Sequence, residues 1–356
     1  VTPVSAWTGR AAPALRMLWL AALLLGLLSG CGREQLYHQE AYVFGTRVDL
    51  TVYGGSRDEA SDAMAAVLRE FDRLHRTFHA WEPSELTALN AAIAAGEPAE
   101  VSDELAARLV DAQGFAERGD ALFDPALGAL IALWGFHDDE FVPKRPDPEA
   151  LRAILDAHPR MADLVITGNH VTSRNPAVQI DLGGYAKGYA LDRAVAILRE
   201  RGIGNALVNI GGNVMALGSK GKLPWRLGIQ HPREARPLAT LPLYDGEAIG
   251  TSGDYQRYFE LDGVRYSHIL DPRTGEPAHG TQSLSVLITP RDNAGTWSDA
   301  SSKAPFIAGD DWLTYTRRYG VEHALRVAAD GSIEVTRALR ARLQIPSDIR
   351  PVRVLD

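Results

Sequence analysis

The stretch VQIDLGGYAKGYALDRAVAILRERG, Val178 to Gly202, decides how the rest of the chain is read. VQIDLGG reads as a strand. Gly183 and Gly184 permit a tight turn, and from Ala186 the apolar residues recur at helical spacing. A strand, a glycine turn and a helix can open a doubly wound α/β sheet. Here the G-x-G-x-x-G spacing of a dinucleotide fingerprint is absent, and no phosphate-loop pattern precedes Lys187. The residues that follow point to a different class. ALVNIGGNVMALG, WRLGIQHP, EAIGTSG and YFELDGVRYSHIL read as successive strands, with Asp262-Gly263 a hairpin turn. LRVAADGSIEV closes the series as a hairpin around Asp330-Gly331.

Toward the N-terminus the pattern changes. AYVFGTRVDLTVYG alternates like a strand, and from Arg57 to about Phe78 the apolar residues have helical spacing. SELTALNAAIAAG, SDELAARLVDAQGFAERG and DPALGALIALWGF carry helical patterns too. Ser102 and Asp124, which precedes Pro125, read as helix starts. DDEFVPKRPDPEALRAILDAHP is a loop followed by a helix, and DDWLTYTRRYG is a late helix. Helices gather early and antiparallel strands late. This predicts an α+β fold, with helices packed on mainly antiparallel sheets. No linker, repeat or low-complexity tract divides it, so one two-lobed unit is expected. A net charge of -8 over 356 residues argues against a nucleic-acid binder.

Arg10 and Arg16 precede MLWLAALLLGLL, Met17 to Leu28, an apolar run of signal-peptide length that is short for a membrane span. It ends in Leu28-Ser29-Gly30-Cys31, the pattern of a bacterial lipobox with lipid attached at Cys31. The competing reading is a buried helix with an incidental cysteine. Residues 1–30 are expected to be the signal peptide and 31–40 a tether. Residues 41–345 are expected to form the folded domain and 346–356 a C-terminal tail. Gly32 stands where an Asp would retain the protein at the inner membrane. The expected location is the periplasmic face of a bacterial membrane, with the outer membrane favoured. Cys31 is the one cysteine, so neither an intrachain disulfide nor thiolate catalysis is expected.

Metal-binding His/Cys motifs and a G-x-S-x-G elbow are absent, and the ten histidines are scattered. Three segments remain as candidates for chemistry. The turn at Gly183-Gly184 opens a helix whose free N–H groups can hold an anion, with Asp181 beside it; it can equally be only a turn. Gly211-Gly212 is either a close backbone approach or a hairpin bend. TSGDYQRYFELDGVRYSHILDPRTGEPA, Thr251 to Ala278, places His268 at a strand end, suited to general-base work or to a structural role. In WSDASSKAPF, Trp297 to Phe306, Asp299 and Lys303 are spaced as a helix-surface ion pair, while Pro305 disfavours an unbroken helix through them.

Taken together, DLGGYAKGYALDRA, NIGGN, TSGDYQRYFE, SHILDPRTGEP and SDA resemble the ApbE family of FAD:protein FMN transferases in order and approximate spacing. Phe44-Gly45-Thr46, WEPSELTALN from Trp81 and LFDPALGALIALWGF from Leu122 extend the resemblance over about Ala41 to Val335. It implies an enzyme that moves the FMN part of FAD onto a Thr or Ser hydroxyl of an acceptor protein, releasing AMP. Phe44, Trp81, Leu122, Phe123, Asp124, Asp181, Lys187 and Leu270 correspond to positions that bind FAD. The spacing from Trp81 to Ser84 is one shorter than the common pattern. His268 corresponds to the general base. Gly184, Ala186 and Asp299 correspond to the surroundings of a Mg²⁺ ion, held by oxygens as a hard cation requires.

One departure bears on that metal. The family has a Thr ligand where this chain has Lys303, and a protonated ammonium has donors but no acceptor. The resemblance also implies an acceptor flavoprotein of a membrane electron-transfer complex. The other reading is a periplasmic FAD-binding lipoprotein with weak or no transferase activity that assists assembly of such a complex.

Overall fold

The structure is a computed structural model that describes residues 35–138, 140–349 and 351–356. Nine strands form one sheet, and they lie in it in the order in which the chain makes them. They are β1 (Leu36–Val43), β2 (Thr46–Tyr53), β3 (Ala206–Ile210), β4 (Asn213–Leu217), β5 (Ala248–Gly253), β6 (Thr281–Ile288), β7 (His323–Ala328), β8 (Ile333–Thr336) and β9 (Val352–Leu355). Neighbours pair antiparallel from β1 to β8. Only β8 and β9 run parallel.

The helices are insertions into this meander. Between β2 and β3 come α1 (Arg57–Phe78), α2 (Glu85–Ala95), α3 (Asp103–Arg118), α4 (Gly128–Leu133), α5 (Pro148–Ala157) and α6 (Ala186–Glu200). Between β6 and β7 come α7 (Ala294–Ala300), α8 (Lys303–Ala308) and α9 (Trp312–Arg318). Local chemistry sets several of the starts. Ser56 and Glu59 close a capping box on α1, Ser84 and Thr87 do so on α2, and Ser102 caps α3 by accepting from Leu105 N. Gly96 ends α2 in the left-handed conformation that glycine adopts without a steric cost. The α5 helix starts at Asp147 with Pro148 as its first residue.

Both faces of the sheet are covered. Val48, Leu50, Val52, Met215, Leu284 and Val286 join the helices in the main core. On the other face Val214, Ala216, Ile249 and Leu287 pack with Trp225, Ile229, Leu238 and Leu241. The last four residues belong to a hairpin of two strands, Trp225–Gln230 and Pro237–Leu243, inserted between β4 and β5. A separate aromatic cluster joins Trp134 and Phe136 to Phe259, Tyr266 and Leu270. It ties the end of α4 to the hairpin of strands Tyr258–Leu261 and Val264–Ser267.

The α+β class and the antiparallel sheet are as the sequence led us to expect. Five details differ. AYVFGTRVDLTVYG is not one strand but the end of β1, a turn at Phe44-Gly45 and β2. Leu36 to Glu40, expected as tether, pair with β2, because their backbone hydrogen bonds are met there. The expected tail contains β9, which adds to the sheet beside β8. VQIDLGG forms no strand: it holds only an isolated bridge, between Gln179 and Leu127, and ends in a turn at Gly183-Gly184. Asp124 does not start a helix; α4 begins later, at Gly128. The apolar run Met17–Leu28 and Cys31 lie outside the described residues. Among the described residues no helix is long and apolar enough to cross a membrane.

Candidate active site

Two helices that cap one another build the floor of the site. The first turn of α6 leaves N–H groups without helical partners. One of them, Gly188 N–H, donates to Asp299 Oδ2 of α7 at 2.9 Å. In return Asp192 of α6 accepts from Gly295 N–H at 2.7 Å, Thr296 N–H at 2.8 Å and Thr296 Oγ1 at 2.7 Å, which closes the start of α7. Each carboxylate therefore meets the positive end of the other helix. The crossing is close because it is made by glycines. A Cβ on Gly188 would lie 2.5 Å from Gly295 O and 2.6 Å from Asp299 Cβ, and a Cβ on Gly295 would lie 2.6 Å from Gly188 O.

Asp299 is 0% exposed, so the surface ion pair suggested by its spacing from Lys303 is in fact an interior one. The Lys303 side chain is 14% exposed. Its Nζ donates to Asp299 Oδ1 and, at 2.7 Å, to the Asp299 carbonyl, with Ser302 Oγ at 3.5 Å. The helix breaks at Ser301 and Ser302, and α8 restarts at Lys303. Pro305 sits in the first turn of α8, where its missing N–H costs nothing. Burial pushes the Asp299 carboxyl up, but Lys303 and Lys187 outweigh it and hold the group below its ordinary value. Burial pushes the Lys303 ammonium down to about 8, against the pull of Asp299.

Three further segments converge on this pair. The turn before α6 brings Gly184 close: a Cβ there would stand 2.8 Å from the Phe123 ring and 3.5 Å from Lys303 Cε. Lys187 Nζ donates to Gly183 O at 2.8 Å. The end of β5 reaches α8 through Ser252 Oγ, 2.8 Å from Ser302 Oγ. His268 follows the Val264–Ser267 strand. Its Nδ1 lies 3.1 Å from Arg257 O and its ring packs edge-on against Phe136. Burial, with Arg257 and Lys187 nearby, pushes the imidazole down to about 3. A neutral ring whose Nδ1–H donates to Arg257 O keeps Nε2 as its acceptor. Asp181 accepts from Gly183 N–H at 2.6 Å and from the Trp81 side chain. Its burial, opposed by those hydrogen bonds, raises its carboxyl. Trp81 in turn packs on His137, with ring centroids 5.4 Å apart.

The sequence model of the ApbE family matches residues 44–325. The chain belongs to the ApbE family. Among similar proteins is an FAD:protein FMN transferase of Rhodobacter capsulatus, 46% identical over 310 residues. That match takes in 85% of this chain but 57% of the relative's length. An FAD:protein FMN transferase of Treponema pallidum is 32% identical, with 92% of this chain and 96% of the relative covered. The solved ApbE protein of Thermotoga maritima superposes with a TM-score of 0.79 at 35% identity, covering 86% of this chain and 99% of its own. The flavin transferase ApbE of Vibrio cholerae gives 0.74 at 26% identity, with coverage of 87% and 99%.

Not every residue carried over from the ApbE resemblance faces the Asp299–Lys303 pair. Asp124, pushed up to about 6 mainly by burial, turns its carboxylate to backbone N–H groups of Ala126 and Met161 and ties two loops together. Leu122 is buried in the main core, and Leu270 packs in the aromatic cluster. Phe44, at φ 57° in its turn, packs on Phe71 and His75. Two site residues escaped sequence reading. Gly188 had a signal, an isolated glycine inside a helical pattern. Arg257 had none. Its guanidinium donates to Phe136 O and Asp138 O, which only the fold brings near.

The Mg²⁺ ion that ApbE membership implies can be tested against the donors present. Asp299 Oδ1 accepts from Lys303 and Oδ2 from Gly188 N–H. Of the main-chain oxygens before α6, Tyr185 O accepts from Tyr189 N–H. Asp299 O itself accepts from Lys303 Nζ and Ser302 Oγ, so the cation already beside Asp299 is an ammonium. The residues present do not fit a divalent metal beside Asp299.

Proposed function

We propose that the chain transfers the FMN moiety of FAD to a Thr or Ser hydroxyl of an acceptor protein, releasing AMP. One observation carries the reading. In a chain of this family, the helix-opening turn of α6 and two lysines meet at one buried carboxylate, and the same two lysines act on a neutral histidine. Phosphoryl transfer asks for alignment, charge neutralisation and a base rather than covalent chemistry. The Gly183-Gly184 turn lets a diphosphate approach the start of α6. Lys187 and Lys303 supply positive charge. Trp81, Phe123 and Asp181 shape the place of the flavin.

In the transfer step a new O–P bond forms between the acceptor hydroxyl and the flavin-side phosphorus. The P–O bond to the AMP phosphate breaks, and AMP leaves with the electron pair. The hydroxyl proton passes to His268 Nε2, whose tautomer is set by the Arg257 carbonyl, and then to solvent. An imidazole held at about 3 is a weak base. The negative diphosphate raises it when FAD binds. The buried Lys303 is the observation that favours the second reading, an FAD-binding lipoprotein that transfers poorly.

Equilibrium dialysis with FAD, followed by flavinylation of a Thr-bearing acceptor domain, separates the two. Retention of FAD with labelled acceptor is expected. Retention without label supports the second reading, and no retention removes both. The acceptor is proposed to be a flavoprotein of a membrane electron-transfer complex. The anchor is proposed to be lipid on Cys31 at the periplasmic face, and release of a Cys31→Ser variant from the membrane fraction tests it.

A further inference from the structure

We propose that in this chain the Lys303 ammonium is the resident cation of the site, filling the space beside Asp299 that a divalent metal needs, so that FAD cleavage runs without Mg²⁺. The exclusion of metal stands on the geometry alone; the metal-free cleavage rests on the FMN-transfer reading.

The donors around Asp299 are spent. One carboxylate oxygen and the Asp299 carbonyl accept from Lys303 Nζ, and the other oxygen accepts from Gly188 N–H at the start of α6. A hard cation needs several oxygens turned toward it, and each of these already accepts a hydrogen bond, two of them from a positive charge. The ammonium is held where it is: Gly184 lies beside its stem, and Ser302 is held between the Asp299 carbonyl and Ser252. A divalent ion next to the ammonium also meets like charge in a buried setting, where repulsion is strong. Elsewhere among the described residues, His38, Glu40 and Asp49 on β1 and β2 are the one group that gathers three metal-ligand atoms. There Arg47 already bonds both carboxylates.

The ammonium also has a bond to give. It has three N–H donors. Two go to Asp299, while the third meets Ser302 Oγ at the outer limit of a hydrogen bond, 3.5 Å. That third donor is the one that turns to a phosphate oxygen. Lys187, four residues after Gly183, has its Nζ at the same turn and adds a second positive charge.

The test uses the FAD-free mature protein and Mn²⁺ as a probe, read by loss of the free-ion electron paramagnetic resonance signal. Wild type is expected to leave the signal unchanged. Lys303→Thr is expected to bind one Mn²⁺, to lose it again when Asp299→Asn is added, and to melt higher with Mn²⁺ than with EDTA. Transfer by wild type to a Thr-bearing acceptor is expected to be unchanged by EDTA, and that by Lys303→Thr to be lost. A wild type that binds Mn²⁺ through Asp299, or transfers FMN only with Mg²⁺, overturns the proposal. So does a folded Lys303→Thr variant that takes up no Mn²⁺. If Lys303→Thr does not fold, the two wild-type measurements still decide. If wild type transfers nothing with or without metal, the transferase reading fails, and the Mn²⁺ result still decides metal exclusion.

Discussion

At the scale of single residues, position rather than type separates the histidines and lysines that matter here. His268 is one of ten histidines in the sequence, and its Nδ1 faces the Arg257 carbonyl. That contact leaves Nε2 as the acceptor, which is the atom a general base needs. His268→Gln keeps a polar group of similar reach but cannot take up a proton. It is expected to slow FMN transfer by about 10²–10⁴-fold while FAD retention in dialysis is unchanged. Equal rates in variant and wild type would remove His268 from the mechanism. Lys303 shows the converse. Its spacing from Asp299 suits an exposed helix pair contributing about 0.3–0.5 kcal/mol. In the fold the pair is enclosed, and removing one partner there costs on the order of 3–5 kcal/mol because the other charge is stranded.

At the scale of elements, the reciprocal capping of α6 and α7 holds Asp299 in place. The two helices touch through Gly188 and Gly295, so neither position tolerates a side chain without moving the other helix. Gly188→Ala is expected to destabilise the protein by about 1–3 kcal/mol through overpacking, measured by urea unfolding. Asp192→Ala removes the acceptor from the first N–H groups of α7 and is expected to cost about 1–2 kcal/mol. Both variants are expected to lower transfer as well, since α7 carries Asp299. Unchanged stability in Gly188→Ala would mean that the helices are not in contact there. A glycine within the pattern AKGYALDRA was visible in the sequence. Its reason was not, because the partner helix is more than a hundred residues away in the chain.

At the scale of the whole molecule, burial of titratable groups sets how stability responds to pH. His268 is held at about 3 against an ordinary 6.5. Between those values the unfolded chain binds a proton that the fold refuses. Stability therefore rises with pH through that window and is lost as pH falls. Asp124 works in the opposite sense. Raised from 3.8 to about 6, it contributes stability at low pH that fades as pH rises through 6. In denaturation curves taken between about pH 3 and 6.5, His268→Gln is expected to flatten the loss toward acid and Asp124→Asn to steepen it. An unchanged slope in both variants would show that neither group is linked to folding.

The sequence by itself determined the class and much of the path. Helical spacing from Arg57 to Phe78, the helix start at Ser102, and the turns at Asp262-Gly263 and Asp330-Gly331 are local signals, and each is where the fold has it. The strands within β4 and β6 were harder to divide by face. Both of their faces are buried, so the alternation that marks a half-exposed strand is lost. Tertiary structure decided that Val352–Leu355 belong to the sheet, since they pair with β8 only after the chain has left it and come back, and that Leu36–Glu40 extend β1, since their polar pattern has no strand signal of its own. It also decided what Asp299 and Lys303 are. Four residues of spacing describe an exposed pair and an enclosed one equally well, and only the packing of α6, β5 and the Phe123 segment around them removes the water that would have made the pair ordinary.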